Sequence, residues 1–351
     1  MTIRILALVG DCYGAQGGIA RYNQDLFEAL AHDGAEIVIL PRLGDAAGLS
    51  LPRRIRQNPP IFGPLRFSVA SLAAAWRHRP VNVVFCGHVF MAPLAWLLAR
   101  LFGARYWLQA HGIDILPLGR GRMRRAVEAA DLVTTVSRMT RKDLLERADL
   151  LPERVRVLPN TVRGLFMPGP PSEELRARFG LGPGPLLLTV GRLAASERYK
   201  GHELIFAALP ALRAEFPDLV HVVAGDPAAV RFLGYVPEKE LPSLYRLADL
   251  FVMPSSLEGF GIVYLEAAAC GLRVVGGIGG GSADAIPDGR VGVTVDPKDR
   301  EALIAAVRRS LGQGRADQSA VEPYRQPHFA AAANKLLARL LSGAHRMKSI
   351  A

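Results

Sequence analysis

Cysteine is scarce. Cys12, Cys86 and Cys270 stand far apart, without the close pairs that hold a metal or the even set that staples a small secreted domain, so a reducing cytosol is the expected compartment. No Asp-x-Asp, His-Glu-x-x-His or Cys-x-x-Cys occurs in the 351 residues, and no metal centre is expected. Long apolar runs are missing as well. The longest, Val89 to Ala99, lies between His88 and Arg100 and falls short of the ~20 residues a spanning helix needs. The apolar start, Ile3 to Val9, meets Gly10 and Asp11 without a cleavage site and reads as a first strand, not a signal peptide. Acidic residues are short in the first half: 22 Lys/Arg face 13 Asp/Glu up to Leu165, against 21 and 19 in the remainder. A basic half attracts nucleic acid, lipid head groups or phosphorylated substrates. Arginine so outnumbers lysine that an arginine-favouring coding sequence accounts for the excess equally well.

What is present is an alternation. Strand-like runs at Ile3–Val9, Glu36–Leu40, Val81–Cys86, Arg105–Gln109, Leu132–Val136 and Val155–Leu158 are mostly separated by helical patterns such as Ile19–Ala31, Phe67–Arg77, Phe90–Phe102 and Arg138–Glu146. Short apolar strands alternating with helices predict a parallel sheet covered on both faces. Leu43 to Pro64, rich in Pro, Gly and Arg, reads as a long surface loop. Past the proline-rich stretch Phe166–Pro185 the alternation resumes through Leu186–Val190, Gly201–Phe216, Leu219–Ala224, Leu250–Pro254, Gly261–Ala269 and Arg300–Leu311. The expected fold is α/β, with two Rossmann-like domains, 1–165 and 166–325, facing across a cleft at the carboxyl ends of their sheets. A segment at 326–351 carries a last helix.

Four motifs bear chemistry. In Glu258-Gly-Phe-Gly-Ile-Val-Tyr-Leu-Glu266 the glycines admit a close ligand, and the helix starting near Gly261 offers free N–H groups to an anion. Glu258 stands in the loop ahead of that helix, where a carboxylate can accept from sugar hydroxyls; Glu266, a turn in, can accept from a ribose. Alone, the two are also readable as a helix-start charge and a solvated helix residue. Val190-Gly191-Arg192 followed by Arg198-Tyr199-Lys200-Gly201 puts Arg192 and Lys200 where two cations can neutralise a diphosphate leaving group. Gly17 and Gly18 end a glycine-rich turn whose amides can face phosphate, though the turn lacks the dinucleotide spacing. His111, at a strand's carboxyl end, can bond a sugar hydroxyl or simply be structural.

Taken together and in order, these motifs, with Thr135-Val136-Ser137, Pro159-Asn160, Ala248-Asp249, Ala269-Cys270-Gly271 and Asp284-Ala285-Ile286, resemble glycosyltransferase family 4, retaining enzymes of the two-domain glycosyltransferase-B fold. The resemblance covers nearly the whole chain. It implies a metal-independent hexosyltransferase with no cofactor, using a UDP-glucose or GDP-mannose type donor and a glycan or polyprenol-linked acceptor in surface-polysaccharide synthesis. By position, His111, Glu258, Arg192 and Lys200 would be catalytic. Gly17, Gly18, Tyr235, Val236, Gly259, Phe260, Gly261, Ile262, Val263 and Glu266 would bind the donor. The last helix would cross back to the first domain. Two departures stand out: the stretch between Gly225-Asp226 and Arg231-Phe232 is short, which leaves the base open, and Gly279-Gly280-Gly281-Ser282 reads as an unusually flexible loop.

A sugar-nucleotide epimerase on the same fold is the enzymatic alternative, and a non-enzymatic anion or nucleic-acid binder the other. Nucleic acid is disfavoured, because Arg120-Gly-Arg-Met-Arg-Arg125 lacks the interleaved aromatics such binding uses. The basic first half instead predicts peripheral contact with the anionic inner face of the cytoplasmic membrane. Arg53, Arg54, Arg56 and Arg120 to Arg125 would supply the charge, with Ile61, Phe62, Leu65 and Phe67 inserting or packing on the sheet.

Overall fold

The computed structural model describes residues 2–191, 195–224, 231–234 and 236–343. The chain divides into two compact units, Met1–Thr161 with Gln326–Ala351, and Val162–Arg325. In the first, β1 (Arg4–Val9), α1 (Gly18–His32), β2 (Glu36–Pro41), β3 (Ile55–Gln57), α2 (Pro64–Arg77) and β4 (Val83–Cys86) are followed by α3 (Ala92–Phe102) and β5 (Arg105–Ala110). Then come α4 (Arg122–Glu128), β6 (Leu132–Thr135), α5 (Arg138–Arg147) and β7 (Val155–Val157). The second holds α6 (Glu173–Arg178), β8 (Leu186–Val190), α7 (His202–Glu215), β9 (Val220–Ala224), β10 (Arg231–Phe232), α8 (Leu241–Leu247) and β11 (Leu250–Met253). It ends with α9 (Ile262–Ala269), β12 (Val274–Gly277), α10 (Ser282–Ala285), β13 (Gly292–Val295) and α11 (Arg300–Leu311). The last helix, α12 (Gln326–Ser342), belongs to the first unit.

Both sheets are parallel and share one strand order, β3-β2-β1-β4-β5-β6-β7 and β10-β9-β8-β11-β12-β13. The order reverses between β1 and β4, and again between β8 and β11. Such switch points leave a crevice at the carboxyl ends of the two strands, where ligands settle. Val83–Cys86 and Leu250–Met253 are buried at every position, as strands covered on both faces must be.

The periodicity of α1 explains how the first unit closes. Tyr22, Leu26, Phe27 and Leu30 are buried; Phe27 meets Phe85 of β4 edge-on at 5.3 Å, and the Tyr22 hydroxyl donates to Gln109 Oε1 of β5 at 2.9 Å. On α12, Phe329, Ala333, Leu337 and Leu340 are buried, and Phe329 packs edge-on against Tyr22 at 5.8 Å. Each such apolar side chain contributes ~1.5–3 kcal/mol on burial. The three cysteines are buried and free; burial pushes the Cys86 and Cys270 thiols up to about 12, so they act as small apolar residues.

The expectation of an unbroken loop over Leu43–Pro64 is corrected by β3, which pairs with β2 through Ile37 and Ile55. Phe67 is buried and not available for insertion, whereas Phe62 is 64% and Leu65 77% exposed. Among the described residues no helix is long and apolar enough to cross a membrane.

Candidate active site

The second unit builds its site from the two loops at the β8/β11 switch point. A 3-10 segment, Ala195–Lys200, leads from β8 into α7. Lys200 Nζ lies 2.5 Å from Glu197 Oε2, with the side chains only 14% and 7% exposed. The lysine lies over Gly191, where an added Cβ would stand 2.9 Å from Nζ. Glu197 went unnoticed in the sequence, although it holds the ammonium at the end of β8. Arg192 and Tyr235 lie outside the described residues.

Gly201 is glycine for a steric reason. At φ 77° its backbone is left-handed, and a Cβ would be 2.2 Å from the Pro254 carbonyl at the end of β11. The Tyr199 carbonyl then accepts from Ser256 N at 2.7 Å and from Ser255 Oγ at 3.1 Å. Lys200 and the loop carrying Glu258 are thereby fixed to one another.

Glu258 is a carboxyl in a poorly hydrated place. Burial raises it from 4.5 to about 7; Glu197 adds to the rise, while Lys200 and a hydrogen bond from Ser255 oppose it. In the loop expected to be flexible, Gly279 and Gly280 lie close against neighbouring backbone. Gly280, φ 64°, comes so close to the Glu258 backbone that a Cβ would stand 2.2 Å from its carbonyl oxygen. Gly281 N donates to that same oxygen at 2.7 Å. These glycines exist for close approach.

Further along the motif, Gly259 leads into the buried Phe260, whose ring lies 5.9 Å from that of Tyr324. Gly261 takes φ 87° and opens α9, where Ile262 and Val263 occupy positions whose N–H groups have no partner four residues back. Glu266 is no solvated helix residue: it is 1% exposed and accepts from the Tyr245 hydroxyl at 3.0 Å. Val236 is buried. His202, directly after Gly201, is buried with neither ring nitrogen hydrogen-bonded; burial first and the Lys200 charge second lower it to about 4.

In the first unit, Gly17 (φ 115°) and Gly18 form an exposed entry to α1. His111, one residue past β5, is buried, and its backbone N–H bonds Asp114 Oδ1 at 2.8 Å. Its Nε2 and the Asp114 Oδ2 are buried without hydrogen-bond partners. Burial lowers His111 to about 4, with His88 adding to the fall and Asp114 and the Gly87 backbone opposing it. It is therefore a neutral imidazole near pH 7, suited to hydrogen bonding more than to carrying charge. His88, past the end of β4, and Asp11, past β1, were not singled out. Burial raises Asp11, whose Oδ1 is buried and unpartnered. Their signal was positional, since each follows a strand beside the switch point, and it emerges only once strand order is known.

Among the described residues no group of three His, Cys, Asp or Glu side chains could hold a metal ion. In the second unit a cation, a carboxyl and a helix start stand at the β8/β11 switch point, and such a set suits an organic ligand with hydroxyls and phosphates.

Residues 16–163 match the model of Glycosyltransferase Family 4, and residues 184–313 that of Glycosyl transferases group 1. The GDP-mannose-dependent alpha-(1-6)-phosphatidylinositol monomannoside mannosyltransferase of Mycolicibacterium smegmatis is 35% identical over 348 residues, 89% of this chain and 90% of that protein. Two solved structures share the fold. A Rickettsia africae glycosyltransferase has a TM-score of 0.81 at 17% identity, covering 97% of this chain and 99% of its own. Anabaena HepE in complex with UDP-glucose has 0.79 at 18%, covering 96% and 99%. This chain belongs to glycosyltransferase family 4 and is a nucleotide-sugar-dependent hexosyltransferase of the glycosyltransferase-B fold.

Proposed function

We propose that the protein moves mannose from GDP-mannose to a lipid-linked acceptor, retaining the α configuration and using no metal. The observation that carries this is Lys200, a half-buried ammonium at the carboxyl end of β8 whose charge reaches Glu258. The cation takes the place of a metal on the diphosphate, and Glu258 accepts from the donor's sugar hydroxyls. Glu266 holds the ribose, Ile262 and Val263 offer backbone N–H groups to phosphate, and Gly17 and Gly18 approach it. His111 donates or accepts one bond to the transferred sugar. In the step itself the bond from the anomeric carbon to phosphate breaks and the acceptor oxygen bonds that carbon from the same face. The acceptor's proton leaves with the released phosphate oxygen. The mannosyltransferase of M. smegmatis, at 35% identity, supports both donor and acceptor class. A place on the inner face of the cytoplasmic membrane, in building cell-surface glycans, follows from that acceptor.

The test is transfer itself. In excess EDTA, GDP-mannose and a lipid-linked mannoside should yield GDP and an α-linked product by NMR of the new anomeric centre. A β-linked product rejects retention, and activity restored only by Mn²⁺ or Mg²⁺ rejects metal independence. Transfer from UDP-glucose alone rejects the donor, and rearranged nucleotide sugar formed without acceptor rejects transfer.

Glu266 gives a second expected result. Glu266→Gln keeps an acceptor for the Tyr245 hydroxyl but loses the charge facing the ribose. GDP binding, measured by calorimetry, should weaken by ~1.5–3 kcal/mol. Unchanged affinity would remove Glu266 from the nucleotide site.

A further inference from the structure

The cation assigned to the diphosphate already has a partner in the free protein. Lys200 Nζ stands 2.5 Å from Glu197 Oε2. The segment Ala195–Lys200 is a 3-10 turn with a kink at Glu197, φ −112° and ψ 25°, and in such a turn residues three apart come to one side. Arg198, next in sequence, pairs instead with Glu203 in solvent, the two side chains being 72% and 69% exposed. His202, on the other side of Lys200, adds no positive charge near pH 7, because burial first and the Lys200 charge second lower it to about 4.

A matched ion pair presents little net field. A diphosphate that reaches Lys200 must share the ammonium with a carboxylate, and that carboxylate opposes every negative charge brought beside it. The two nucleotides that visit this place differ in charge. In a sugar nucleotide the outer phosphate is bonded on both sides and has one ionised oxygen. When the bond to the sugar breaks, that phosphate becomes terminal and gains a second ionisable oxygen, with a pKa of about 6. Near pH 7 the nucleoside diphosphate therefore carries almost one more negative charge than the donor it came from. A fixed carboxylate disfavours the product more than the donor.

We propose that Glu197 is a release residue: a built-in counter-ion that reclaims Lys200 and expels the nucleoside diphosphate in preference to the sugar nucleotide. It works through Lys200 and through its own charge, without touching the reacting atoms. This role rests on Lys200 being the cation that meets the diphosphate. The direction of the expected effect sets it apart from a merely structural one. Removing a carboxylate that competes for the ammonium should improve nucleotide binding, whereas loss of a structural contact weakens binding or leaves it unchanged.

The experiment is calorimetry of the full chain near pH 7 with GDP, GDP-mannose and guanosine. UDP, UDP-glucose and uridine form a second set, so that the comparison survives a different donor base. Glu197→Gln keeps an oxygen to accept from the Lys200 ammonium and should bind the nucleoside diphosphate on the order of tenfold more tightly, the scale of removing one close like charge. The sugar nucleotide should gain less, and the nucleoside, which brings no phosphate, nothing. The dissociation rate of the diphosphate, followed by stopped flow, should slow with the gain in affinity. Glu197→Asp, whose carboxylate is one methylene further back, should fall between, and it keeps the test open if the Gln variant does not fold. Lys200→Met should bind the diphosphate more weakly than the parent. If Lys200→Met binds it as the parent does, the diphosphate does not sit on this lysine, and that reading falls together with the release role. If Lys200→Met binds weakly while Glu197→Gln binds no better than the parent, Lys200 keeps its part and the release role alone is overturned. A gain equal for diphosphate and sugar nucleotide, or one shared by the nucleoside, also overturns it.

Discussion

Lys200→Met should slow sugar transfer ~100-fold or more, the scale on which losing one preorganised charge-stabilising group acts. The side chain is half-buried and held by Glu197, and the proposed role has its charge act on a departing diphosphate with less screening than in bulk water. The variant has a second consequence. Glu197 is left buried without its cation, and breaking a buried pair by removing one partner costs ~3–5 kcal/mol. A slow enzyme that has merely come loose would therefore mimic the prediction. The double variant Lys200→Met/Glu197→Gln separates the two effects, because it removes both charges and should recover most of the lost stability. Single-turnover kinetics and thermal melts of both proteins are the measurements. If the double variant regains its rate along with its Tm, Lys200 is structural and the metal-free mechanism loses its main support.

The acid limb of the pH profile should belong to Glu258. The carboxylate is the form that accepts from two hydroxyls, and the free protein holds it at about 7. The value of kcat/KM, which reports the free enzyme, should rise with pH, reach half its maximum near 7 and level off above that. Glu258→Gln should lower the plateau by ~100-fold or more and flatten the limb. Stability should move the other way. The folded value lies above the ordinary 4.5, so folding favours the neutral acid. No penalty exists below 4.5; it grows as pH rises from 4.5 to about 7 and is complete above that. Glu258→Gln should accordingly melt with the parent in acid and be ~1–3 kcal/mol more stable above pH 7. A parental acid limb in the Gln variant would move the titration to another group.

Much of this was legible before any coordinates. Leu186–Val190 and Arg300–Leu311 were bounded as observed, because a strand buried on both faces is a plain apolar run and a helix that packs one face repeats every three or four residues. Strand β3 was not legible, since its three residues include one buried side chain, Ile55, and pairing with β2 supplies the rest. The motif placed Glu258, Glu266 and Lys200 on their elements. It could not reveal that Glu197 grips Lys200, or that Gly280 lies against the Glu258 backbone, because those facts depend on which chain segments meet after folding. His88 and Asp11 were hidden likewise: only the strand order shows that β1 and β4 flank the switch point.

The position of α12 has a consequence for how the chain is made. Asn334 bonds the Ala29 carbonyl at 3.4 Å across 305 residues of sequence, and Phe329 covers Tyr22. The ribosome therefore releases every strand of the first unit, and then the whole of Val162–Arg325, before the helix that seals α1 emerges. During that interval the unit begun first waits with an apolar face open to solvent, and the unit begun second can finish ahead of it. Synthesis order and completion order are reversed. A nascent chain stalled near Arg325 should resist protease across its second half while its first half is still cut.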